Sequence, residues 1–217
     1  DNPGEQALDL LALIDAVLET QAGIYENKEL SDIEAGSGKL LKNYSYKMLE
    51  PVITALTTTG SGRYDILVNA RKDTPEIFLD YRVFPKYIEG LGDSYSELAY
   101  LISRWMVEDG KMMIEPLKRG FDPMGKSEMC RRLDIIAYLA KEEENDFYLS
   151  IIDGEASKDI RKSAIEALGY SDKNIDILLE IAKTGDKASK EKAINVLKSF
   201  SDARVDEFFE NSTKKKK

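Results

Sequence analysis

The sequence contains no histidine. That absence excludes a histidine-liganded zinc or non-haem iron site, a Ser-His-Asp triad and a Cys-His nucleophile. Cysteine occurs once, at Cys130, so no internal disulfide forms. A single thiol fits a reducing compartment, and a cytoplasmic location is the expectation. Cys130 falls on an apolar-periodic stretch, where a small buried hydrophobe is the ordinary role. With 6 prolines and 14 glycines in 217 residues, long coil is not expected. No run of about 18 apolar residues occurs, so nothing is expected to span a membrane. Positive charge is also scarce: the net charge is −9. Nucleic-acid backbones attract chains with excess Lys and Arg, because neutralised phosphates release counterions. This chain lacks that pull overall. The closing lysines, Lys214 to Lys217, are the local exception and read as a solvated tail. The start at Asp1 reads as a trimmed end.

What is present is 42% apolar and 33% charged residues. That charge is high for a globule, but a repeat array exposes more surface per residue and carries it. Internal repeats are visible. Pro51, Pro85 and Pro116 each follow apolar residues within a helical pattern, 34 and 31 residues apart. A proline inside a helix costs about 3 kcal/mol unless it lies in a first turn or a tolerated kink. Near-equal spacing therefore predicts one structural position used three times. Further on, Ile136, Ile165 and Ile194 are 29 apart, as are Leu139, Leu168 and Leu197. Leu149 and Leu178, and Ile152 and Ile181, keep the same step.

Each repeat reads as two helices. Ile175, Leu178, Leu179 and Ala182 have the spacing of one helix face, and Ile160, Ala164, Ala167 and Leu168 form a second. Small residues such as Ala164, Ala167 and Ala193 allow close helix approach. In the first helix Leu10, Leu11, Ile14, Val17 and Leu18 make an amphipathic stripe. Asn2-Pro3-Gly4-Glu5 and Asp73-Thr74-Pro75-Glu76 read as helix starts, while Ser31 to Glu34 and Ser94 to Glu97 match the capping box. Two stretches, Tyr64 to Val68 and Ile77 to Phe84, are rich in strand formers. Helical pairs on both sides predict helix for them nonetheless.

The run Asp159-Ile160-Arg161-Lys162-Ser163-Ala164-Ile165-Glu166-Ala167-Leu168-Gly169 resembles the second helix of HEAT repeats, especially the bacterial HEAT-like group that includes phycobilisome-lyase repeats. Ala193 with Val196 and Leu197 is a weaker copy, and Arg131-Arg132 with Ile136 and Leu139 is weaker still. The resemblance covers about residues 110–210, thins to proline spacing over 45–110, and does not reach the first 42 residues. It implies an all-α fold, an α-solenoid of about five helical pairs. Residues 1–42 would be an N-terminal helical cap, 43–211 the HEAT-like array and 212–217 a basic tail. In the family, the arginine at the Arg161 position commonly pairs with an acid in the turns and belongs to a structural ladder. The second helices line the concave, binding side. That side would carry Arg63, Arg71, Tyr95, Arg104, Arg131 and Arg132.

Searching for chemistry finds little. Gly36-Ser37-Gly38-Lys39 and Gly60-Ser61-Gly62-Arg63 lack phosphate-loop spacing and read as inter-helix turns. Consecutive acids at Glu142 to Glu144 point in different directions along a helix and do not converge. The loop Asp122 to Lys126 lacks the alternating oxygen ligands of a calcium site. Tyr100, Leu101 and Trp105 have core spacing, while Tyr95 and Arg104 are expected exposed. The expected function is a non-enzymatic scaffold that binds a protein or peptide on the concave face, without metal, cofactor or small-molecule substrate. One competing reading is nucleic-acid binding, or a HEAT-like DNA glycosylase with Trp105 beside Glu108 or Asp109. Another is a structural helical domain of a larger protein. A groove lined jointly by the named arginines would favour nucleic acid; mixed charge would oppose it.

Overall fold

The computed structural model describes residues 44–214 continuously and, before them, Gly4, Ala7, Leu8 and Leu10 to Ile14. The chain divides into two compact units, Asp1–Leu41 and Lys42–Lys217. In the first, the described residues are helical and solvent-exposed; Leu8, Leu10, Leu11, Leu13 and Ile14 are between 45% and 62% accessible. The predicted starts at Asn2 and Ser31, the Gly36 turn, the rest of the first stripe and Lys215 to Lys217 lie outside the described residues.

The second unit is all-helical, with no strand among the described residues. Its α-helices are α1 (Tyr46–Thr57), α2 (Arg63–Asp73), α3 (Phe84–Glu89), α4 (Ser96–Asp109), α5 (Ile114–Lys118), α6 (Ser127–Ala140), α7 (Asn145–Asp153), α8 (Lys158–Ala167), α9 (Ile175–Thr184), α10 (Lys187–Leu197) and α11 (Ala203–Lys214). Short 3₁₀ turns join several of them. Tyr64 to Val68 is helical within α2, as predicted. The second strand-like stretch is not one helix: Pro75–Leu79 forms a 3₁₀ turn, a bend follows, and α3 begins only at Phe84. Pro75 and Pro85 fix φ at the first turns and set those breaks.

Amphipathic patterning makes the helices. Leu98, Ala99, Ile102, Trp105 and Met106 form one buried stripe of α4. Leu133, Ile135, Ile136, Ala137 and Ala140 do the same in α6. Burying a large aliphatic side chain of this kind contributes about 1.5–3 kcal/mol. Caps follow the sequence only in part. Ser157 accepts from the Ile160 amide at 3.4 Å, and Asp186 accepts from Ala188 and Ser189 at 2.9 and 3.2 Å. The box expected at Ser94 is not formed: α4 starts at Ser96, and Asp93 instead accepts the Tyr95 amide at 2.7 Å. The three repeated prolines lie in α1, α3 and α5, at different depths. Pro51 is well inside α1, whereas Pro85 and Pro116 are near the starts of α3 and α5.

Packing runs from neighbour to neighbour. α1 packs on α2, α5 on α6, α7 on α8 and α9 on α10. Across pairs, α4 packs on α6, α6 on α8, and α8 on α10. Gly169, just past α8, shows how close the last contact is: a Cβ there would lie 2.8 Å from a Val196 methyl. A polar contact adds to this helix packing. Asn145 and Asn174, 29 apart, exchange two side-chain hydrogen bonds of 3.1 and 2.7 Å. Asn174 is 1% exposed and also donates to the Leu168 carbonyl at 2.8 Å.

Replacing Asn174 by alanine leaves the Leu168 carbonyl and the Asn145 amide without these partners inside the fold. We expect Asn174→Ala to lower stability by about 1–3 kcal/mol. In urea unfolding, a double-mutant cycle with Asn145→Ala should show coupling of about 1 kcal/mol.

Candidate binding groove

The core stripe of α4 has an opposite face. Tyr100, Arg104, Val107 and Glu108 are spaced i, i+4, i+7, i+8 along it. On α6, Arg131, Asp134, Ile135 and Tyr138 follow i, i+3, i+4, i+7. Because α4 and α6 pack side by side, these two rows face each other across an open groove of about 490 Å³. Its lining is mostly apolar. Tyr100 and Tyr138 are 63% and 60% exposed, whereas Ile135 is buried. Tyr100, expected in the core with Trp105, therefore stands on the surface; Trp105 is buried as expected.

Arg131 shapes this groove. Its guanidinium donates to the Leu91 carbonyl at 2.6 Å and lies over the Tyr100 ring at 5.3 Å. The carbonyl fixes the guanidinium and the ring covers one face of it, an arrangement of cation–π type. Arg104 is exposed and makes no side-chain hydrogen bond or ion pair among the described residues. Glu108 faces Arg71 at 3.7 Å. Asp134 is exposed, but partial desolvation by neighbouring groups raises its pKa, and the charge of Glu166 adds to the rise. A hydrogen bond from Ser163 and the charges of Lys192 and Arg131 oppose that rise.

Three of the predicted site arginines are held inside the fold and do not line the groove. Arg63 is 7% exposed and grips Asp93 with both guanidinium nitrogens, the second at 2.7 Å. Arg71 donates to Asp109 at 2.6 Å and to the Trp105 carbonyl at 3.2 Å. Arg132 is 8% exposed; it bonds Glu128 at 2.6 Å and the carbonyls of Leu117 and Arg119. Each ties its helix to another part of the fold, so packing claims its charge. Tyr95 is exposed as expected, but its hydroxyl donates to Glu97 and its ring meets Tyr64 edge-on, away from the groove residues. Arg161 plays a structural role by a different route from the one the resemblance implies. It donates to the carbonyls of Ile152 and Gly154, both at 2.8 Å, and so closes the α7–α8 turn without an acid.

The acid beside Trp105 is equally committed. Asp109 accepts from Arg71 with one oxygen and from the Tyr87 hydroxyl at 2.9 Å with the other. Burial pushes the Tyr87 phenol far up, so it remains a donor. Cys130 is half-buried, and burial raises its thiol pKa. Among the described residues no group of three or more acidic or cysteine side chains converges as a metal site.

The Arg63–Asp93 pair gives a pH signature. Hydrogen bonding to Arg63 holds the Asp93 pKa below its ordinary value, against the opposing effect of burial. A folded pKa lowered below the unfolded value of about 3.9 adds stability above that pH. The contribution is lost as pH falls through the lower folded value. We expect Asp93→Asn to cost about 3 kcal/mol at neutral pH, because Arg63 stays buried without its anion. Urea unfolding at decreasing pH should show the gap between parent and variant closing below about pH 4.

No protein-family model matches the chain, and no curated protein matches it.

Proposed function

We propose that the second unit is a HEAT-like α-solenoid and that it works as a non-enzymatic scaffold, binding a segment of another protein in the α4–α6 groove. The repeat reading is supported by the order of packing. Five successive pairs can be drawn, the second being the Pro75–Leu79 turn and α3 against α4, with α11 following. Second helices meet second helices from α4 through α10. Equivalent positions 29 residues apart do the same work at Asn145 and Asn174. In such a stack each layer touches only its neighbours, and the second helices form one continuous wall.

The observation that carries the binding reading is the pair of exposed tyrosines, Tyr100 and Tyr138, with Arg131 laid on one of them beside an apolar floor. Tyr and Arg around an apolar slot are the chemistry of protein-binding hot spots. Such surfaces also tend to be rich in residues that lose little side-chain entropy when bound. The nucleic-acid reading loses its footing here. Arg63, Arg71 and Arg132 are neutralised internally, and the groove mixes Arg104 and Arg131 with Glu108 and Asp134. A phosphate backbone calls for a one-signed positive track. The glycosylase variant would need a free acid near Trp105; both oxygens of Asp109 are already taken, and Glu108 lies on the groove face of α4, opposite the Trp105 stripe, paired with Arg71 at 3.7 Å.

A photo-crosslinking residue placed at position 103, which lines the groove and leaves Tyr100, Arg104 and Tyr138 in place, tests this. In extracts of the source cells, the full chain should capture a defined protein from position 103 and not from the exposed position 180 on α9. Tyr138→Ala should lower that capture about tenfold. Equal capture from both positions, or capture indifferent to Tyr138, rules out the groove as the binding face.

A further inference from the structure

Resting on that reading, the groove's charge pattern identifies the kind of segment it takes. Each acid in the groove already faces a cation of this chain. Glu108 has Arg71 at 3.7 Å, and Asp134 has Arg131 and Lys192 nearby, with Ser163 donating to it. Farther along the same wall, Lys162 pairs with Asp159 at 2.6 Å, and Lys192 with Glu166. Arg131 has its carbonyl and its ring. Among the charged groove side chains, Arg104 alone lacks a partner within the described residues. It is exposed, and although Glu108 lies one helical turn away, no ion pair forms between them. The unsatisfied charge beside the apolar slot is therefore positive.

We propose that the α4–α6 groove binds an acidic-hydrophobic segment of a partner protein, with one large apolar side chain between Tyr100 and Tyr138 and a neighbouring carboxylate on Arg104. A slot of about 490 Å³ suits an anchor side chain with its flanking backbone. Arg offers a carboxylate two parallel N–H donors, and such charge-assisted bonds are about twice as strong as neutral ones. A cationic segment would instead meet Arg104 and Arg131, and would have to compete with Arg71 for Glu108. The net charge of −9 repels acids at a distance, but salt screens that repulsion beyond about 8 Å. Contact chemistry then decides the outcome.

A random-peptide library displayed on phage and panned on the immobilised full chain is the probe. Enriched peptides should place Phe, Leu or Trp next to Asp or Glu. Arg104→Glu should cut their retention by about tenfold or more and, when panned itself, select Lys or Arg in the acidic positions. Arg104→Lys should keep the acidic preference. Since Tyr100, Arg104 and Tyr138 are exposed, these variants leave the core untouched, and unchanged thermal unfolding verifies that. If Tyr100→Ala with Tyr138→Ala abolishes retention but the enriched peptides are cationic or indifferent to charge, the charge assignment is overturned and the groove stands. If enriched peptides bind that double variant undiminished, or no peptide is enriched, both the charge assignment and the binding face fall.

Discussion

Layer-on-layer burial of aliphatic side chains is the constraint on which the second unit depends. None of its helices is long; the longest, α4 and α6, have 14 residues, and α5 has 5. Helices of that length are marginal alone in water, because nucleation is costly. Their stability comes from an apolar face placed against the next helix. Leu133 and Ile136 of α6, Ile160, Ala164 and Ile165 of α8, and Ala193 and Leu197 of α10 are all inaccessible to solvent and belong to one cluster. Remove one layer and its neighbours expose apolar surface.

Aliphatic packing tolerates sliding, so it does not fix register by itself. Directional contacts do that. The reciprocal amides of Asn145 and Asn174, the fork of Arg63 on Asp93 and the clasp of Arg71 on Asp109 each require one alignment of successive elements. Their partners lie 29, 30 and 38 residues apart. Buried polar groups of this kind contribute little net stability when satisfied, but are costly when misaligned. They therefore penalise wrong stackings more than they reward the right one. Outside this group, exposed pairs such as Lys111–Glu143 also link neighbouring layers, with small individual effects.

Much of the helical order was legible because burial imposes periodicity. The step of 29 residues and the faces at Ile160 and Ile175 identified α8, α9 and α10 correctly. The stretch from Ile77 to Phe84 was harder. Proline spacing marked a helix near Pro85, but only three-dimensional packing decides that the stretch is broken into a 3₁₀ turn and a short α3. The site was legible in reverse. Counting arginines on second helices brought Arg104 and Arg131 to the groove, but also Arg63, Arg71 and Arg132, which the fold uses internally. An arginine's composition and helix position do not reveal its partner when that partner is Asp93, Asp109 or a carbonyl such as Leu117, many residues away. The missed signal was the second periodicity: Tyr100, Arg104, Val107 and Glu108 repeat as regularly as the core stripe beside them. Tyr100 was assigned to the wrong one of two interleaved faces, since an aromatic ring fits either.

Those two faces also explain how the chain can keep a sticky surface without endangering its fold. On α4 the buried row is Leu98, Ile102, Trp105 and Met106, and the groove row is Tyr100, Arg104, Val107 and Glu108. Substitution in one row leaves the contacts of the other in place, so the proposed recognition could change without loss of packing. Arg131 is the exception. It reaches back to the Leu91 carbonyl at 2.6 Å while presenting its guanidinium to Tyr100. Through it the groove wall is tethered to the preceding layer, and Tyr100 gains a fixed neighbour. An aromatic side chain held in this way loses less freedom on binding than a loose one. That preorganisation would favour the binding proposed between α4 and α6.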